Sequence, residues 1–515
     1  MMQQFENDSK ISNLDISKWE QNTKELEIYD KCEKIKIKII FTKDYKIIYS
    51  RNSEILRVQY LVIIIKSDII IDISKNPEIL INLELIRYFK WQGEYGLENK
   101  KCGRWIATFQ GNILKDVGGY FVDGFKQGIW KVIKNNFWTK AKVYLIGEYY
   151  NDLKRGQWKY IQDAKIIYGG YYNNEEGYKK GKWVELGEGF YCDSQIIYRG
   201  EYNKKGIKIG QWDILQDKNN GQGYISIGCG YYHIYSGNKI GRWVELDERF
   251  QIDKQVMYSG EYNKNGKKVG RWDSMFCKYY EQEYQQIGGG SYDNLYGIKV
   301  GKWIDLWEGF KYNSQITYNG EYNQDGVKVD RWNIEYKGKS FGGGLYDSCS
   351  GNKIGKWVDL DEEFWSDKQV TYSGVYNQYG KRIGRWDITL DGILIGGGSY
   401  DIDSGIKIRK WVELDEKFDL DTLIIHNGQY NITGKKVGRW DIMQDRSGNG
   451  EYRKIGGGSY DCTLGIKVGQ WVELKEGYTW ITYVGEYNME GKKIGTWVEM
   501  DKNENQKRGQ CQYNH

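Results

Sequence analysis

The sequence predicts an all-β protein, an elongated antiparallel array of β-hairpin repeats preceded by a small mixed cap that contains a helix. Two observations predict it. A segment typified by Tyr258-Ser-Gly-Glu-Tyr-Asn-Lys-Asn-Gly-Lys-Lys-Val-Gly-Arg-Trp272 recurs along the chain, and the Trp closing each copy stands at 105, 130, 158, 183, 212, 243, 272, 303, 332, 357, 386, 411, 440, 471 and 497, a spacing of 25 to 31 residues. Gly reaches 65 of 515 residues and Pro occurs once, alongside 21 Trp and 45 Tyr, which fits many tight turns joining aromatic strands. No closed globular core is required, because an array grows by adding neighbours.

Residues 1–90 form the N-terminal region. It opens polar, and Ser17-x-x-Glu20 ahead of Trp19, Leu26 and Tyr29 predicts a short helix. From Lys34 to Ile73 the Ile, Val and Tyr content predicts three or four strands. Asn76-Pro77-Glu78, followed by Ile79, Leu80, Leu83, Ile86 and Phe89 on one face, predicts a second helix that caps the first edge of the array.

Residues 91–500 are the repeats. In the unit quoted above, Tyr258 to Tyr262 is a strand and Val269 to Trp272 the return strand. Placing Tyr258, Gly260, Tyr262 and Trp272 on one side requires an odd-length turn, such as a three-residue loop with Gly266 left-handed. The glycines then leave room for a ring to lie on the opposite backbone. Glu261 and Arg271 fall on the other face, where cross-strand pairing contributes roughly 0.2–1 kcal/mol each.

Two kinds of unit alternate. Tyr precedes Trp by ten residues in one (Tyr202, Tyr262, Tyr322, Tyr376, Tyr430) and by eleven in the other (Tyr232, Tyr292, Tyr346, Tyr400, Tyr460), so every second hairpin has a bulge or a longer turn. The second kind repeats every 54 or 60 residues, making a pair of hairpins the physical unit. Leu at Trp+3 (from Leu186 to Leu474) and Phe or Tyr at Trp+7 (Phe190, Phe250, Phe310, Phe364, Phe418, Tyr478) mark a second buried stripe under the connecting segments. Residues 501–515 read as a polar tail.

The repeated Gly-Glu-Tyr-Asn-x-x-Gly-Lys-Lys-x-Gly-x-Trp resembles the MORN repeat, in the variant whose hairpin ends Tyr-x-x-Gly-Lys-x-x-Gly-x-Trp; the resemblance covers roughly residues 91–500. It implies a twisted sheet of successive hairpins used as a scaffold at cytoskeletal or membrane structures, with phospholipid as a second class of partner. The chain has Gly-x-Trp where Gly-x-Gly is usual in that family, and a longer spacing.

Chemistry finds little material. There are three histidines, of which His515 is terminal and His233 and His426 fall at different places in their units. Carboxylates such as Glu261 and Glu308 recur from unit to unit, as structural residues do and single active sites do not. Asp401-Ile-Asp403-Ser-Gly405 lacks the remaining calcium ligands and reads as a turn. The eight cysteines (32, 102, 192, 229, 277, 349, 462, 511) form no CxxC pair or ladder. No catalytic, cofactor-binding or metal-binding residue is therefore assigned, and no cofactor is expected.

The 75 basic and 70 acidic side chains are interleaved, so nucleic acid is not an expected partner. Neither a signal peptide nor a membrane span is recognisable, and the expected location is cytoplasmic, with cytoskeletal or membrane association. The functional expectation is a non-enzymatic scaffold for protein partners. Its alternative is a carbohydrate- or phospholipid-binding module that uses the aromatic face of the sheet.

Overall fold

A computed structural model describes residues 22–513 apart from short internal stretches, the longest being 72–79, 135–141 and 416–422. The chain divides into two compact units, Met1–Lys267 and Lys268–His515. The array comprises 31 strands, thirteen in the first unit (Phe89–Tyr95 to Gln255–Tyr262) and eighteen in the second (Lys268–Cys277 to Gln506–Tyr513), and within each unit strands pair with their sequence neighbours.

The cap differs from expectation in detail. Asn22–Asp30 is a strand, paired Leu26↔Ile37 and Ile28↔Ile35, where a helix is predicted from Ser17 onward. Ser17 to Glu20 lie outside the described residues; from Asn22 onward the antiparallel ladder to Glu33–Phe41 stands in place of the predicted helix. Four strands form one cap sheet and two a further hairpin. The second helix is present as Leu83–Tyr88, capped by Asn82, whose Oδ1 accepts from the Leu85 amide at 3.1 Å; residues 76–79 lie outside the described residues. Leu83, Leu85 and Ile86 join Ile35, Ile37, Ile47, Ala107, Phe109 and Val117 in one core, so the cap packs on the face of the first array strands. Arg57 donates to the main-chain oxygens of Ile86 and Phe89, satisfying carbonyls at the helix end.

The hairpins follow the turn logic read from their glycines. The Asn263 amide donates to the Lys267 oxygen and the Gly266 amide to the Asn263 oxygen, closing a three-residue loop with Gly266 at φ +76°. In the second kind, His233 and Asn238 close a four-residue loop, so the extra residue is in the turn. Two early hairpins are tighter than the rest: Val122↔Phe125 and Tyr150↔Leu153 each enclose two residues, with both Asp123 and Gly124, and both Asn151 and Asp152, at positive φ. The 54- and 60-residue periods also have a cause. Two-residue turns at Lys337-Gly338 and Asp391-Gly392 stand where the 60-residue pairs have longer connections, such as the one between Lys268–Cys277 and Gln285–Tyr292.

The residues beyond 500 are not merely a tail. Gln506–Tyr513 is a strand paired with Lys493–Asp501.

Candidate functional site

Strand alternation sends each repeat Trp, and the residues two positions before and after it along a regular strand, to one face. All fifteen repeat tryptophans are buried there, at 0–6 % exposure. Fourteen of the fifteen indoles, Trp272 aside, are seen to lie against a glycine of their own hairpin: a Cβ on Gly320 would stand 2.2 Å from the Trp332 ring. The Trp332 indole N–H donates to the Glu321 oxygen at 3.2 Å. Tyr and Trp then alternate edge to face, Trp303–Tyr322 at 6.1 Å and Tyr322–Trp332 at 5.2 Å.

Above the rings stands a row of cations. Lys299 Nζ is 4.3 Å from the Trp303 ring centroid and Lys328 Nζ 4.0 Å from that of Trp332. Second-kind units add an acid at Trp+2, and a tetrad results. Asp305 accepts from Lys299 at 2.6 Å and from the Tyr322 hydroxyl at 2.7 Å, with Lys328 at 3.5 Å. Asp359 holds Lys353, Tyr376 and Arg382 in the same way, and Glu185, Glu413 and Glu473 repeat the pattern. Burial opposes charge on Glu185, but Lys208 and Lys179 outweigh it and hold the carboxyl well below the usual range. Burial and the neighbouring Glu185 push the Tyr202 phenol up, and burial lowers Lys208 despite its acid partner.

This arrangement escapes the sequence reading, whose recurring carboxylates are Glu261 and Glu308, the latter five residues after Trp303. A signal exists at Trp+2: Glu185, Glu245, Asp305, Asp359, Glu413 and Glu473 in second-kind units, against Ile214, Ser274, Ile334, Ile388 and Ile442 in the first kind. Of the predicted second stripe, Phe190, Phe250, Phe310 and Phe364 are buried, whereas the Leu residues at Trp+3 are half-buried; Phe418 and Tyr478 lie outside the described residues.

A cavity of about 660 Å³ opens on this face, lined by Asp361, Lys368, Arg382, Glu413, Asp415 and three tyrosines among others. Asp361 accepts from Tyr372 at 2.9 Å, and in the next unit His426 takes the place of that Tyr, its Nε2 2.8 Å from Asp415. The polar groups around the cavity are bonded to one another, which suits them to holding the layers together. His233 sits on a hairpin tip with Nδ1 3.1 Å from Ser236 Oγ, apart from His426 in sequence and in structural role. The Asp401 segment is a turn, as read: its carboxylate accepts the amides of Asp403 and Ser404. Among the described residues no group of three or more His, Cys, Asp or Glu could hold a metal ion, and no helix is long and apolar enough to cross a membrane.

The opposite face, called the outer face below, carries Glu261 and Arg271. Register places Glu261 opposite Arg242 and Glu201 opposite Lys182, so opposite charges are cross-strand neighbours there. Arg271 itself is bonded to Asp273 of its own strand at 2.7 Å. In comparisons with known proteins, no family model matches this chain and no curated protein matches it.

Proposed function

We propose that the protein is a non-enzymatic repeat scaffold of the MORN-like kind, whose regular surface docks protein partners at several equivalent points. The observation that carries this reading is the repetition of the buried carboxylate, ammonium and phenol tetrad: ionisable groups of the inner face recur with the same internal partners and serve to join hairpins. The alternative, ligand stacking on the tryptophan ladder, has no open ring to use among the fifteen repeat tryptophans. Cytoskeletal or membrane-associated sites in the cytoplasm are where such a scaffold would act. Proximity labelling with the full chain, and with a variant lacking residues 304–357, tests the proposal. A defined set of neighbours whose labelling falls in a graded way in the shorter chain is the expected result. Labelling of the full chain that does not exceed that of an inert fusion would overturn it.

A further inference from the structure

The near-balance of the whole chain conceals a division. The first unit holds 42 basic and 34 acidic residues, net +8, and the second 33 and 36, net −3. Residues 101–150 alone have 8 basic against 3 acidic. The outer face differs in a second way. Tyr171 and Tyr231 precede the ladder tyrosines of the first unit, where the second unit has Ser291, Leu345, Ser399 and Ser459. Tyr120, Tyr150, Tyr168 and Tyr171 all point outward, between 50 and 70 % exposed.

Cations interleave with these rings. Arg104 lies directly across from Tyr120, Lys180 from Tyr171 and Lys159 from Tyr168, each one strand spacing of ~4.8 Å away. The Arg155 guanidinium sits 4.6 Å from the Tyr150 ring centroid. Between the tyrosines of Lys165–Tyr172 and the strand Lys208–Asp217 runs a shallow groove of about 1120 Å³, with Lys180, Lys182, Arg199 and Lys204 along it against the acids Glu201 and Asp213. Arg199 is bonded to Asp213 at 3.1 Å, whereas Arg104, Lys159, Lys180 and Lys182 make no ion pair with described residues.

We infer that this outer face of the first unit binds single-stranded nucleic acid, with bases stacked on Tyr168 and Tyr171 and phosphates met by Lys180, Lys182 and Arg199. Aromatic platforms beside a cationic track are what an extended, unpaired strand requires, since every base has a stacking face whatever its sequence. A duplex buries its base faces and offers a groove that a broad sheet does not enter. A protein partner is less well matched, because lysine is depleted in the cores of protein interfaces. The inference is independent of the scaffold reading.

The test uses the full chain and fluorescein-labelled dT20 and rU20, with a 20-base-pair duplex and a heparin oligosaccharide of similar charge as comparisons. Anisotropy at ~50 mM salt should show micromolar binding of the single strands and weaker binding of the duplex, with affinity falling steeply as salt rises. Tyr168→Ala and Tyr171→Ala should each weaken binding about fivefold or more, while the Phe variants retain it. Lys180→Glu with Lys182→Glu should abolish it, and Arg385→Ala in the second unit should leave it unchanged. Because both tyrosines are exposed, unchanged melting temperatures will show that the variants are folded. No binding of dT20 or rU20 would overturn the inference. So would equal binding of heparin or duplex with no effect of the tyrosine variants, which would mark a general polyanion patch or the seat of an acidic protein.

Discussion

Two residues before each repeat Trp the backbone turns left-handed, with φ between +56° and +69°, and thirteen of the fifteen positions are glycine. Asp330 and Arg409 are the exceptions, at φ +56° and +64°. A side chain there costs roughly 1–2 kcal/mol, partly offset by the entropy glycine loses on folding, about 0.5–1 kcal/mol. Arg409→Gly should therefore raise stability by about 0.5–1 kcal/mol, and Gly438→Ala, at the matching place of the next unit, should lower it by about 1 kcal/mol. Urea unfolding midpoints decide the matter; an unchanged midpoint in both variants would show that the bulge tolerates a Cβ. Gly320 is under a different constraint, with the Trp332 ring rather than the backbone angle excluding a side chain. Gly320→Ala should cost roughly 1–3 kcal/mol by overpacking, with the loss of hydrogen-exchange protection centred on the hairpin of Trp332.

At the scale of the hairpin pair, the tetrads make stability depend on acid. Glu185, Glu413 and Glu473 are partly buried, which alone would raise them, yet their lysine partners lower them below the usual carboxylate range. A carboxyl depressed in the folded state stabilises it fully above the unfolded value near ~4.3, and that contribution is lost as pH falls through the folded value. Melting temperature should accordingly drop as pH falls below about 4, and Glu413→Gln should flatten part of that drop while lowering stability at neutral pH. A Glu413→Gln profile parallel to the parent's would show that Glu413 contributes nothing to it. The tetrad was within reach of the sequence, since an acid stands at Trp+2 in every second-kind unit and Ile or Ser in the first-kind units from Trp212 to Trp440, with Glu499 in the last unit the exception. It requires knowing that Trp−4, bent round by the left-handed glycine, returns to the same face as Trp and Trp+2. Hairpins, glycine seats and turn lengths were legible because the same local signals repeat many times. The strand Asn22–Asp30 was not, because its one capping signal has no repetition to test it. Gln506–Tyr513 was hidden for another reason: nearly all its side chains are exposed, so its pairing with Lys493–Asp501 leaves no apolar alternation to read.

For the molecule as an array, the pair of hairpins sets which lengths of chain fold. Removing residues 304–357 joins Lys299-Val-Gly-Lys-Trp303 to Val358-Asp-Leu360, so Asp359 falls where Asp305 stood and Lys299 regains a buried acid. Removing 304–332 instead joins Trp303 to Asn333-Ile334. That brings an isoleucine beneath Lys299 and leaves a half-buried ammonium without its carboxylate, a far costlier outcome than losing a whole pair. The longer deletion should thus give the more stable protein. It does sever one link between successive connecting segments, the 3.1 Å bond from Ser314 Oγ to the Phe364 oxygen, and a modest loss of stability relative to the full chain is expected from that. Thermal unfolding of both variants reads this directly, with the 304–357 deletion melting cooperatively near the parent and the 304–332 deletion well below it. Equal melting of the two would show that single hairpins, and not pairs, are the interchangeable units of the array.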